Sequence, residues 1–449
     1  MKRCLLFLVL LSFFTTFAAQ NSPYTVSGGN GAPYLADNNI QYRIEIYLLN
    51  GLSGAKISFT SSDGGAHQWY QYSENANNAT PISSIREGNS SFITDIQEGY
   101  GYFVGSPTDP LTRYVWIIDY SKYIPRFFSL TTEEESDKCS FLKIIADMEA
   151  EPLLYFLPNG FQRGLAERFY NLKYNSQEWD GKEKRYVVKE ENIRWQGLEN
   201  PVPAPLINTN FILSGDQYAE KLGLLQSIVS DEYRAIAVDA HCIAETNKIH
   251  ADNEIHFAGD VLGGSAPIEY VFSAFANEPV AASYKWKISQ QDSITGKWDL
   301  IAFYPNNKNL RYVFERDGIF RVELEVMSSG KSVCVDTTKF FDVIINSTMI
   351  KIPNAFSPGS SFGVNDELKI SFSSIVSFKA TIVNRWGNVL FQWSDPTKGW
   401  DGRVNGKFVP TGVYFVIVEY KDSLGKSRTM SKAVNILRAN NSYRNNEEK

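Results

Sequence analysis

Tyr312-Val313-Phe314-Glu315-Arg316-Asp317-Gly318-Ile319-Phe320-Arg321-Val322 reads as strand, turn, strand. Asp317-Gly318 is a tight-turn signal. Beyond it Phe320, Val322, Leu324 and Val326 alternate with Arg321, Glu323 and Glu325. A period of two sends the apolar set to a core and the charged set to water. Upstream, Tyr42, Ile44, Ile46 and Leu48 alternate in the same way with Gln41, Arg43 and Glu45. Further turn signals stand at Asp63-Gly64-Gly65, Asn159-Gly160, Asp180-Gly181 and Asn405-Gly406. Aromatics are 14% of the chain, with 24 Tyr and 29 Phe, and flat or β-branched side chains pack well on a pleated surface. The expected fold class is all-β: β-sandwiches in tandem.

The 449 residues divide into four such units behind a leader. Residues 1–19 have the layout of a secretory signal peptide. Lys2 and Arg3 give the positive start, Cys4 to Phe14 is almost wholly apolar, and cleavage after Ala18 is preferred to Ala19. Residues 20–125 hold Trp69-Tyr70-Gln71-Tyr72 and Gly99-Tyr100-Gly101-Tyr102, which resemble the middle strands of an immunoglobulin-like sandwich. Residues 126–252 are β-rich, with a short helix expected from the spacing of Tyr218, Leu222, Leu225 and Val229. Pro201, Pro203 and Pro205 mark an extended edge or connection there. In residues 253–346, Phe314, Gly318 and Phe320 on the late hairpin resemble the polycystic-kidney-disease (PKD) type of sandwich. Residues 347–440 form the last unit, and 441–449 are a polar tail.

The last unit carries five motifs in order. They are Pro353-Asn354-Ala355-Phe356-Ser357-Pro358, Gly363-Val364-Asn365-Asp366, Asn384-Arg385-Trp386-Gly387, Gly399-Trp400-Asp401-Gly402 and Pro410-Thr411-Gly412-Val413-Tyr414. This series resembles the gliding-motility-associated C-terminal domain, the type B sorting signal of type IX secretion in Bacteroidetes. The stretch Gly359-Ser360-Ser361-Phe362-Gly363 departs from it, being longer than the family's Asn-Gly-Asp-Gly and lacking its Asp. The resemblance implies export across the outer membrane, with the secretion translocon and outer-membrane proteins as partners. Trp386 and Trp400 are both large enough to dominate a small core. An exposed edge strand is the expected docking element for the machinery.

The net charge is −6, with no basic block of the kind that binds nucleic acid. Removing Lys2 and Arg3 with the leader takes it to −8. No His-Glu-x-x-His, Gly-x-Ser-x-Gly or phosphate-loop pattern occurs, so neither an enzyme nor a cofactor is expected. Gly28-Gly29-Asn30-Gly31 reads as a flexible stretch. His241-Cys242, near His250 and His256, is the one nucleophile or metal candidate, and adjacent strand residues face opposite ways. Export leaves Cys139, Cys242 and Cys334 in an oxidising compartment. Cys139 with Cys242 is one pairing; three unpaired buried thiols is the other reading. Tyr70, Tyr72, Tyr100 and Tyr102 are candidates for stacking on sugar, alternation making half of them core. The expected function is a secreted or surface array, structural or adhesive, meeting surface polysaccharide or an extracellular ligand. The alternatives are an accessory subunit of the secretion or gliding apparatus and, at lower weight, a carbohydrate-binding or hydrolytic surface protein.

Overall fold

The computed structural model describes residues 22–437 except 62–63, 134–137, 198–200, 256–260, 331–332 and 360–364. The expected signal peptide, the polar tail, Asp63, His256, Gly363 and Val364 fall outside the described residues.

Strands dominate the chain throughout. In the first unit a four-stranded sheet faces a six-stranded one. Tyr24, Ile57, Trp69, Ile93, Tyr102 and Ile117 fill the space between them. The second face of the larger sheet is also covered. Ile44, Ile46, Leu48, Phe103 and Trp116 pack against Leu153, Tyr155, Leu157, Tyr218 and Leu222 of the next unit. Burial on both faces explains why every residue of Tyr114–Asp119 is buried. It also corrects the expectation for Glu45, which is buried rather than in water. Burying a carboxylate is costly unless it is partnered. Ser22 Oγ and Tyr47 Oη donate to Glu45 at 2.8 and 3.3 Å, and Arg113 lies 3.7 Å away. Gly28-Gly29-Asn30-Gly31 is a packed turn: the Gly29 and Asn30 amides donate to Ser53 and Asn50 carbonyls. A Cβ on Gly28, at φ +94°, would stand 2.1 Å from the Gly54 carbonyl oxygen.

The second unit is built on the long hairpin Tyr170–Asp180 with Arg185–Trp195, extended by Ile212–Gly215 and Gln226–Val229. Its core joins Leu130, Leu142, Tyr174, Trp195, Phe211 and Leu213. The expected helix is present only as Gln217–Lys221. Leu225 is exposed and Val229 lies on a strand, because the turn at Leu222–Leu224 redirects the chain into the sheet. Val202–Pro203 forms a short edge against Phe141–Leu142, as the prolines implied.

The third unit pairs Ala240–Glu245 with Ile268–Ala276, so the third sandwich begins ahead of the expected break at 252. Its core surrounds Trp286, with Phe272, Phe314, Phe320, Val322 and Leu324. Here the alternation behaves as expected, with Phe320, Val322, Leu324 and Val326 buried and the charged set half-buried on the outer face.

The Cys pairing also needs correcting. Cys139 bonds to Cys334, a separation of 195 residues, and Cys242 is free. The docking of the second unit on the third brings Cys139 and Cys334 within bonding range (Cα–Cα 5.4 Å). Cys242 instead sits on a strand packed against the third core. Asn277 reinforces that joint, its amide donating to the carbonyls of Leu206 and Ala237.

The last unit is a sandwich. One layer is a five-stranded sheet in the order Ala355–Phe356, Ser427–Ile436, Gly412–Asp422, Ile375–Val383, Val389–Trp393. Three short strand pairs make the opposite layer. Buried polar groups fix this unit to the third. Asn253 Nδ2 donates to the Ile370 and Pro396 carbonyls at 2.7 and 2.8 Å. The Ser374 amide donates to Ser265 Oγ, and the Ala266 amide to Ser374 Oγ.

Candidate functional site

The five C-terminal motifs separate into a core group and a surface group. Trp400 is 1% exposed. Its ring meets Phe356, Phe391 and Tyr414 at centroid distances of 5.7, 6.3 and 6.1 Å. Its indole N–H donates to the Arg403 carbonyl at 2.9 Å, which satisfies the one polar atom of a buried ring. Tyr414 Oη donates to the Pro410 carbonyl, tying the last motif into the same cluster. Asp401 accepts from the Arg403 amide. Gly402 has φ +76°, and a Cβ there would lie 2.8 Å from Pro358 Cγ. The Gly399 amide donates to Glu367. Asn365, at φ +55°, accepts from the Ser357 amide through its carbonyl. Asp366 accepts from the Gly359 amide at 3.1 Å. Asn354 ties the edge of the sheet, its carbonyl accepting from the Asn435 amide. These residues shape turns around one aromatic core.

The Asn384-Arg385-Trp386-Gly387 motif does something else. It closes the hairpin between Ile375–Val383 and Val389–Trp393. Asn384 Oδ1 accepts from the amides of Trp386 and Asn388, both at 3.0 Å. The Gly387 amide donates to the Asn384 carbonyl, and Gly387 takes φ +84°. Trp386 is 70% exposed, so the expectation that it shares the core with Trp400 is wrong. It sits at the hairpin tip, where the sheet ends and no opposite layer can cover it. The Arg385 guanidinium lies over its ring at 4.2 Å, within cation–π range.

Residues 350–434 match the family model of the CHU_C type IX secretion signal domain. The motif-based resemblance is borne out. Residues 131–230 match the fibronectin type III domain, which gives the second unit an immunoglobulin-like identity that its sequence left open. No curated protein matches the chain. Among solved structures, the FN1–FN3 domains of chicken CNTN1 cover 69% of this chain and 99% of theirs, at 10% identity and TM-score 0.23. An ice-binding, Ca2+-stabilized adhesin of an Antarctic bacterium covers 93% and 99%, at 9% identity and TM-score 0.18. A biofilm-associated protein's BSP domain covers 93% and 96%, at 8% identity and TM-score 0.17. Whole-chain overlays at such scores say nothing about function.

Upstream of the secretion signal domain the chemical candidates disperse. His241 stacks on Trp179 at 4.8 Å and lies 3.4 Å from Asp239. Burial holds its pKa below the usual value, against the pull of Asp239. Burial pushes the Cys242 thiol up to about 11, which leaves it protonated and a poor nucleophile. His250 reaches Glu254 instead. Among the described residues no group of three His, Cys, Asp or Glu side chains could hold a metal. Tyr72 and Tyr102 are core residues, while Tyr70 and Tyr100 are half-buried. Tyr70 stacks on Phe103 at 5.2 Å, so one of its faces is occupied from within. An open cavity of about 520 Å³ lies between the second and third units, lined by Lys138, Asp231, Tyr233 and Arg234. No described helix is long and apolar enough to cross a membrane.

One surface escaped the sequence reading. On the outer face of the third sandwich, Arg321 lies 4.5 Å from the rings of both Trp298 and Phe340 and makes two hydrogen bonds to Asp342. Leu300 and Phe303 are exposed beside them. Phe303, Glu323 and Phe340 share one cross-strand row, but that is visible only once the register is known.

Proposed function

We propose that this protein is a surface component exported by the type IX route, with residues 350–434 as its passport and the upstream sandwiches as a stiff structural or adhesive array at the cell surface. The observation carrying this reading is the match of residues 350–434 to a secretion signal domain, together with the packing of Phe356, Trp400 and Tyr414 from its motifs into one folded core. Stiffness is supported by the joints: a shared core between the first two units, a disulfide between the second and third, and a buried polar network between the third and fourth. The adhesive part rests on the Trp298–Arg321–Phe340 face. A surface of aromatic rings with a guanidinium lying against them can take a sugar ring or a protein partner. The PKD-like reading of the third sandwich belongs to this proposal. Phe314 and Phe320 meet at 5.0 Å across the hairpin turned by Gly318. An apparatus subunit gains no support from the comparisons.

Surface proteolysis of intact cells tests the reading. The full chain should be digested from outside, and a chain lacking 350–449 should stay protected while other type IX cargo is exported normally. Protection of the full chain, or loss of general secretion on deletion, would overturn it.

A further inference from the structure

The Trp386 hairpin is continuous with an apolar row on the open face of the five-stranded sheet. Val389 pairs with Val383, Val383 with Phe415, and Phe415 with Ala433. The neighbours of Phe415, Tyr414 and Val416, point into the core, so this row points outward. Val389, Phe415 and Ala433 are exposed, as is Val413 on the same face. The row ends at a hairpin whose tip, its backbone held by two hydrogen bonds to Asn384, carries a large ring that the core does not use, with the Arg385 guanidinium over it. A loop backbone held in place before binding loses less entropy on binding. Trp and Arg are also the residues that most often anchor interfaces.

Charge identifies the occupant. Residues 347–449 hold 14 Lys and Arg against 8 Asp and Glu, net +6. The preceding 346 residues hold 30 against 42, net −12. The secretion signal domain is therefore a basic body on an acidic chain, and opposite charge guides encounter and register. One indole beside one guanidinium fits an apolar pocket flanked by a carboxylate. That is an epitope on a protein rather than the dispersed headgroups of a bilayer.

We infer that the Arg385–Trp386 hairpin and the Val389–Val383–Phe415 row form the surface by which an acidic protein of the secretion machinery grips this chain. The inference rests on the export reading above. The test uses the full chain in a type IX-competent host, with Trp386→Ala, Trp386→Phe, Arg385→Ala and Arg385→Glu beside the deletion of 350–449. Trp386→Ala should lower the surface-exposed amount about ten-fold or more, the loss expected for one anchoring side chain. Trp386→Phe should restore much of it, and Arg385→Glu should fall below Arg385→Ala. The purified variants should melt with the parent, which separates recognition from misfolding. Normal export of Trp386→Ala alongside failure of the deletion overturns the inference and leaves the export reading standing. Normal export of the deletion removes both. Equal export of Arg385→Glu and Arg385→Ala rules out an acidic partner. Binding of the purified chain to anionic phosphatidylglycerol vesicles, weakened by Trp386→Ala, reassigns the surface to lipid and overturns the protein partner.

Discussion

Trp386 and Trp400 stand fourteen residues apart, each beside a glycine in a motif of the same secretion signal domain. One is 70% exposed and the other 1%. Trp400 lies where the two layers meet, so three aromatic rings and a carbonyl converge on it. Trp386 lies past the end of its hairpin, where only its own loop can hold it. A recognisable motif identifies the residue but not its neighbours. The contrast teaches that some motif residues make the domain fold and others face outward.

Trp400→Ala should widen that contrast most. Emptying a fully buried Trp site costs about 3–5 kcal/mol, with the largest fall in the unfolding midpoint of the C-terminal unit. A midpoint shift no larger than that of a surface variant would break the comparison. Gly402→Ala should come next. A left-handed φ costs an L side chain about 1–2 kcal/mol, and contact with Pro358 at 2.8 Å adds to it. Chemical denaturation of the full chain, followed by Trp fluorescence, reads both variants.

A third kind of site lies between these extremes, at the buried polar joint to the third unit. Glu254 is buried. Burial alone would raise its pKa, but the Lys248 ammonium at 2.7 Å and His250 outweigh that and hold it below the usual carboxylate value. A carboxyl whose folded pKa is depressed stabilises fully above its unfolded value, about 4.5, and loses that contribution as pH falls through the lower folded value. Below about pH 4 the joint should loosen before the cores do. Hydrogen exchange of the Ile255 amide, which donates to the Phe372 carbonyl, should speed up in that window, while amides around Trp400 should not.

The sequence revealed most where a single sheet face meets a single core. Phe320 to Val326 fell as the alternation said, because one side of that strand faces solvent. Glu45 broke the rule because its sheet is covered on both faces, the second time by Leu153 and Tyr218 from far along the chain. Cysteine pairing was illegible for the same reason: Cys139 and Cys334 meet only when two units dock. The helix at Gln217–Lys221 was legible in type but not in extent, since Leu225 and Val229 share its spacing and belong to the connection beyond it and to a strand. In the secretion signal domain the motif residues were legible, but their division into core and surface depended on layer geometry that no spacing encodes.

Trp386→Ala should have the smallest effect on stability. An exposed side chain gives up little apolar contact on truncation, and surface changes usually stay within about 0.5 kcal/mol. The Arg385 stack adds about 0.5–1 kcal/mol at an exposed site at most. The Asn384 hydrogen bonds, which run to backbone amides rather than to the indole, survive the change. Truncation should therefore leave the melting curve of the full chain close to the parent's. A loss as large as that of Trp400→Ala would mean that the ring folds back onto the sheet and supports the core, and the division between the two tryptophans would disappear. An unchanged melting curve together with failed export would make the division functional: one tryptophan builds the domain, and the other is what its partner recognises.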